Sequence, residues 1–489
     1  MVRWEFALVL DRSDSRPLTL QIARALTAEI ERGRLRPGQR LPGSRTLART
    51  LRVHRQTVVS ALEELTAEGW LMTRRASGTF VAEGLPDRPR RRAARGPEPR
   101  RAMPPRLAIA LSPAPEPELP TVVPARAILM SGTRPDLRLL PADLIGRAYR
   151  RVLRSYGPAL LSYAHPAGLL RLRRGLSAML SATRGLAVGL DTIMLTRGSQ
   201  MGLALTARAL VRPGDAVAVE HPGYRPAWEA FRLAGAEIVP VAVDAQGLDV
   251  SALRRLAARR PIRAVYVTPH HQFPTTVTLT AARRLDLLRL ATEARFAIVE
   301  DDYDHEFHYS GRPVLPLASA DTAGTVIYLG SLSKVLAPGL RLGFVVAPAD
   351  LIQRLVAYRS FVDLQGDPAL ECALAELLDD GLIQRHVRKM RRIYRSRRDA
   401  LAAALRRRLG RFVSFVKPSG GTAIWVTTPD ASTTARWAAR ARRLGVILGQ
   451  GRAFTLQGRS SAGARLGFAD LTEDEIGTAV RRLVAASGA

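Results

Sequence analysis

Residues 84–125, from GLPDRPRRRAARGPEPRRAMPP to PAPEPELPTVVPA, are dense in Pro, Arg, Ala and Glu and poor in apolar side chains. Such a composition buries too little surface to offset the entropy of ordering, so the segment reads as an exposed, partly extended linker. It is also long for a simple loop. One continuous core across it is excluded, and the 489-residue chain divides into a small unit over 13–83 and a large one over 126–489. No apolar run reaches the ~18–20 residues of a membrane helix. The N-terminal MVRWEFALVLDRSDSRP lacks the pattern of a signal peptide. Cys372 is the single cysteine, which rules out an intramolecular disulfide. Together these features predict a cytoplasmic protein.

In the small unit, PLTLQIARALTAEIER places Ile22, Leu26 and Ile30 on one helical stripe, with Ala25 beside it. Gly33, Pro37, Gly38, Pro42 and Gly43 then break the chain, and Ser44 is placed to cap a short helix, SRTLARTL. A third helix is predicted from about Arg55, with Val58, Ala61, Leu62 and Leu65 at i, i+3, i+4 and i+7 and Gly69 at its end. WLMT and GTFV flank Arg74-Arg75-Ala76-Ser77-Gly78 as a hairpin wing. This is the order of a winged helix-turn-helix, and Arg55, Gln56 and Thr57 fall where a recognition helix meets base edges and phosphates. The net charge of +31 suits an anionic partner such as nucleic acid. Only three of the 74 basic residues are lysines, however, and such a bias alone produces a basic surface. Placement of charge therefore decides more than its sum.

Over some 60 residues this unit resembles the GntR family of bacterial regulators. The resemblance rests on the PG-x-R-LP run, Arg45, Arg55 with Thr57-Val58, the EG turn and the closing GTF. It implies that Arg45 and Arg55 contact DNA, that Thr57 supports them, and that the tip at Gly78 enters the minor groove. Two departures stand out. Gly43-Ser44 replaces the usual Ser-x before Arg45, and His54 occupies the place of a capping Ser, which predicts a cap weaker by about 0.5–1 kcal/mol.

In the large unit, short apolar runs alternate with helical stretches, as in a mostly parallel sheet covered on both faces. AVAV (216–219) leads to Tyr224, AVYV (264–267) to His270, His271 and Gln272, FAIV (296–299) to Asp301 and Tyr303, and VIYL (326–329) to Ser331, Ser333 and Lys334. Ligands of open α/β sheets sit beyond the carboxyl ends of strands, where all four groups gather. A lysine, a carboxylate, a phenol, aromatic faces and hydroxyls together suit pyridoxal phosphate. Gly198, Ser199 and Gln200, at a predicted helix start after TIML, offer amides for its phosphate. Two other readings compete. Ser-x-x-Lys also serves hydrolases as a nucleophile pair, which leaves Asp301 and Tyr303 idle. The neighbouring His270 and His271 suggest a metal site, but the sequence spacing provides no third ligand, so none is predicted.

From about 126 to 480 the chain resembles the fold-type I aminotransferases, with a large mostly parallel sheet domain and a smaller α+β domain. With the winged helix in front, the whole is similar to the MocR (PdxR/GabR-like) subgroup of GntR regulators. The resemblance implies an aldimine between Lys334 and pyridoxal 5′-phosphate. Asp301 then pairs with the pyridine nitrogen, Tyr303 bonds O3′ and Tyr224 stacks on the ring. Gly198, Ser199, Gln200, Ser331, Ser333 and Arg341 form a phosphate cup. Arg465 receives an amino-acid carboxylate, and Tyr163 reaches the partner subunit's site, which implies a homodimer on paired DNA half-sites. Enzymatic members carry Asn-Pro-Thr-Gly where this chain has Phe273-Pro274-Thr275-Thr276, and His305 stands where the regulators often have Ser. These departures favour sensing pyridoxal phosphate, an amine or an amino acid over aminotransferase turnover.

Overall fold

In a computed structural model the chain forms two compact units, residues 1–113 and 114–489. The structure describes residues 8, 10–12, 16–74, 77–85, 109, 127–132, 134–311, 314–459 and 461–488. Most of the predicted 84–125 linker lies outside these residues, as do Arg75 and Ala76 of the wing.

The small unit contains helices α1 (Leu18–Glu31), α2 (Ser44–Leu51) and α3 (Arg55–Ala67), then the hairpin β1 (Leu71–Arg74) and β2 (Gly78–Val81). The stripes read from the sequence meet in one core: Ile22, Leu26 and Ile30 of α1 face Val58, Ala61, Leu62 and Leu65 of α3, closed by Leu47, Trp70 and Val81. Each such Leu, Ile or Val contributes about 1.5–3 kcal/mol by leaving water. Two caps differ from expectation. Ser44 is the first helical residue of α2, preceded by an extended Gly43 that makes no side-chain cap bond. His54 supplies a cap of its own, because its Nδ1 accepts from the Gln56 amide at 3.3 Å. An imidazole nitrogen thus takes over the acceptor role of the serine hydroxyl.

The large unit is built on an eight-stranded sheet. Its strands are β3 (Ile193–Thr196), β4 (Ala216–His221), β5 (Glu237–Asp244), β6 (Gly247–Leu248), β7 (Ala264–Val267), β8 (Ala297–Asp302), β9 (Val326–Ser331) and β10 (Gly343–Val346), in the order β3-β10-β9-β8-β7-β4-β5-β6. From β9 through β8, β7 and β4 to β5 all pairings are parallel, whereas β10 runs antiparallel to both its neighbours. The apolar runs are strands buried on both faces. Val217, Val219, Ile327 and Leu329 point into one core, and Ala216, Ala218 and Val326 into another. A smaller region follows, with the 28-residue helix Leu382–Leu409 and a three-stranded sheet of Ala423–Thr427, Gly463–Gly467 and Gly449–Gln450 around Trp437 and Phe468.

Candidate functional site

Parallel register fixes where the site forms. Val219 lies opposite Tyr266, Tyr266 opposite Val299, and Asp301 opposite Leu329, so the residues that follow these strands emerge side by side. They enclose a cavity of about 160 Å³. Lys334, Asp301, Tyr303, Tyr224, Ser199, Gln200, Ser331, Ser333 and Arg341 all line it, together with Phe273 and Tyr266. Gly198 does not line the cavity but shapes it. It caps helix α4 (Ser199–Leu210) at φ 77°, ψ 167°, and a side chain there would meet the Arg341 guanidinium at 3.0 Å. The first amides of α4 have no intrahelical acceptor, so they suit an anion. Arg341 is held beside them by a 2.9 Å bond from Nη2 to the Arg197 carbonyl, and Ser331 Oγ accepts from the Ser333 amide at 3.1 Å.

Burial sets the electrostatics. Loss of solvent pushes the Asp301 carboxyl up to about 6, although the Tyr266 hydroxyl donates to its Oδ2 at 2.8 Å. Its Oδ1 is buried with no hydrogen-bond partner among the described residues, as a carboxylate facing an absent N–H would be. Lys334 is lowered to about 8, first by burial and then by the Arg465 charge, against the pull of Asp304 and Asp301. Arg465 is fully buried, its guanidinium lies 5.0 Å over the Phe273 ring and interacts with the Tyr303 side chain, and its Nε and Nη2 have no hydrogen-bond partner within bonding geometry among the described residues. Tyr303 donates to the His271 carbonyl at 2.8 Å. Tyr163, by contrast, is 85% exposed and stands outside the cavity.

Sequence reasoning missed three features. Tyr266 lies inside an apolar strand and carries no motif. Thr268 donates to the buried Glu220 at 2.6 Å and lines the same cavity. The histidine pair also has partners that sequence spacing does not reveal. His270 and His271 gather with His308, and His270 with Asp302 and His305, because β7 and β8 are neighbours.

In the small unit Arg45, Arg55 and Gln56 are exposed and Thr57 and Gly78 are half-buried. Arg55 Nε donates to Ser44 Oγ at 3.3 Å, and Gly78 has φ 111° with the Arg40 side chain against it.

A doubly covered parallel sheet with a lysine, a carboxylate and a helix N-terminus around one cavity defines a pyridoxal-phosphate-type aminotransferase fold, here carried behind a winged helix. Residues 138–483 match the family of class I and II aminotransferases, and 18–81 match the bacterial regulatory proteins of the gntR family. The probable rhizopine catabolism regulatory protein MocR of Rhizobium meliloti is 33% identical over 85% of this chain and 82% of its own. The HTH-type transcriptional regulator TauR of Rhodobacter capsulatus is 33% identical over 89% of each. Among solved structures, the α-aminoadipate aminotransferase LysN of Thermus thermophilus, complexed with N-(5′-phosphopyridoxyl)-L-leucine, superposes with a TM-score of 0.70 at 31% identity, covering 74% of this chain and 92% of that one. The chain belongs to the MocR-like subgroup of GntR-family transcription regulators.

The residues present fit the cofactor of that fold. Asp301 Oδ1 awaits a donor, the α4 terminus with Arg341 suits a phosphate, and the lowered Lys334 offers a partly neutral amine. Pyridoxal phosphate, when bound, supplies a carbonyl carbon for amines and an electron-accepting ring.

Proposed function

We propose that the large unit is a sensor for pyridoxal 5′-phosphate and for an amine or amino acid, and that its occupancy governs how the winged-helix head engages operator DNA. Arg465 carries this reading. It is a fully buried guanidinium, two of whose nitrogens have no partner in bonding geometry among the described residues, close enough to Lys334 to depress its amine. An α-amino acid presents an amine and a carboxylate together, which matches this pair of groups. Lys334 would hold the cofactor through Nζ, Asp301 would accept from the ring nitrogen, and Tyr303 would serve the ring hydroxyl. Tyr224 would cover the ring. Gly198, Ser199, Gln200, Ser331, Ser333 and Arg341 would take the phosphate.

On the same reading Arg45, Arg55, Gln56, Thr57 and Gly78 face the DNA, and 84–125 tethers the head (13–83) to the sensor (126–489) in a cytoplasmic homodimer. Tyr163 completes the site of the opposite subunit. Its exposure beside the exposed Leu161, Phe361 and Val362 supports such an interface. The test is direct. Purified protein should carry the visible absorbance of bound pyridoxal phosphate and lose it in Lys334→Ala. Salt-dependent footprinting should reveal paired half-sites that respond to added amino acid. A protein that stays colourless when loaded refutes the sensor.

A second reading, an active aminotransferase, is favoured by the presence of Lys334, Asp301 and Arg465 together. Turnover of an amino acid with 2-oxoglutarate at ~1–10³ s⁻¹ would establish it.

A further inference from the structure

The chain has eight histidines, and four of them meet in one cluster that does not line the cavity. His270 and His271 follow β7, and His305 and His308 follow the neighbouring β8. His270, His271 and His305 are buried and His308 is half-buried. One ring nitrogen from each of His270, His271 and His308 lies within 4.8 Å of the others. His270 Nδ1, His271 Nε2 and His308 Nε2 are buried and have no hydrogen-bond partner among the described residues.

The remaining ring nitrogens indicate why these lone pairs are available. His271 Nδ1 bonds Asp304 Oδ1 at 2.8 Å, which leaves Nε2 as the acceptor. The His308 ring interacts with the Ser310 backbone, and its Nε2 has no hydrogen-bond partner among the described residues. A carboxylate behind an imidazole whose other nitrogen faces its neighbours is the supporting arrangement of metal-bound histidine. Asp302 and His305 also adjoin His270, and Asp302 Oδ1 and Asp304 Oδ2 have no hydrogen-bond partner among the described residues, so carboxylate oxygen adjoins the cluster. Buried nitrogens left without a partner are costly unless something fills them.

We infer that His270, His271 and His308 form a binding site for a divalent transition-metal ion, of the imidazole-preferring class that includes zinc, with Asp304 positioning His271. The site is distinct from the cofactor cavity, so its failure would leave the sensor reading intact.

Full-length, pyridoxal-phosphate-loaded protein, stripped with chelator and dialysed against zinc, is the material for the test. One zinc should remain per chain by elemental analysis after gel filtration. His270→Ala/His308→Ala should lose it, and His308→Gln should weaken it by about tenfold or more. His165→Ala/His386→Ala should match the unaltered protein. Retained cofactor absorbance and circular dichroism identify variants that remain folded. In the unaltered chain, cobalt(II) should give the intense visible d–d bands of a low-coordinate nitrogen site, a readout independent of any variant. Absence of zinc uptake by the unaltered protein, or equal uptake by the folded double variant, overturns the site.

Discussion

Thr276 sits at φ 64°, a left-handed conformation that a β-branched residue adopts at a cost of roughly 1–2 kcal/mol. Its amide closes the turn onto the Gln272 carbonyl at 2.7 Å, and its side chain is buried. The backbone thus keeps the shape of a glycine that the sequence has replaced. Thr276→Gly should stabilise the large unit by about 0.5–1 kcal/mol after the extra freedom of glycine is deducted, read in calorimetry as a raised unfolding temperature. The same scale governs Lys334. Its amine titrates near 8, so raising pH through that value converts a cation into a nucleophile. The uptake rate of pyridoxal phosphate, followed by visible absorbance, should climb to about pH 8 and level off there rather than near the ordinary lysine value of ~10.4. Arg465→Gln should move that midpoint upward, because one cation that opposes protonation is gone. The identity of Lys334, Asp301 and Tyr303 was readable in the sequence because each follows an apolar run. Tyr266 and the partners of His270 were not, since only cross-strand register brings them in.

At the scale of elements, the proposed function places binding at two helix N-termini. Gly198 caps α4 in a backbone region nearly reserved for glycine, where another residue costs about 1–3 kcal/mol. Gly198→Ala should therefore weaken pyridoxal phosphate binding by about tenfold or more, measured by equilibrium dialysis, with helix content unchanged. At the start of α3, Arg55 projects into solvent. Arg55→Ala should weaken operator binding and reduce the slope of log affinity against log salt by about one, if the contact is to a phosphate. Strands buried on both faces and helices with a clean apolar stripe were legible without coordinates. The two-residue strand Gly449–Gln450 and the antiparallel turn of β10 were not, because neither leaves a periodic signal. The cap from His54 departs from the weaker cap its sequence implies, because its ring nitrogen accepts from the Gln56 amide.

For the molecule as a whole, the exposed apolar side chains of the large unit are the strongest sign of assembly. Leu161 and Tyr163 lie on a segment tied to 359–366 through Gln365, which bonds the Ala164 amide, and Phe361 on that second segment is 92% exposed. Phe361→Glu should shift the protein from dimer to monomer in size-exclusion light scattering and abolish binding to paired half-sites while single half-sites remain weakly bound. Division into two units was legible from the proline- and arginine-rich segment; the exposed apolar side chains were not, since leucines and phenylalanines look like core residues in a sequence. The scarcity of lysine has a practical outcome. Lys389 and Lys417 are exposed, and Lys334, the third, lines the cavity. Amine-reactive acylation read by mass spectrometry would therefore report on few side chains, two of them as built-in references. The degree to which Lys334 is shielded would measure cavity occupancy in a cell extract, without a purified operator or a known effector.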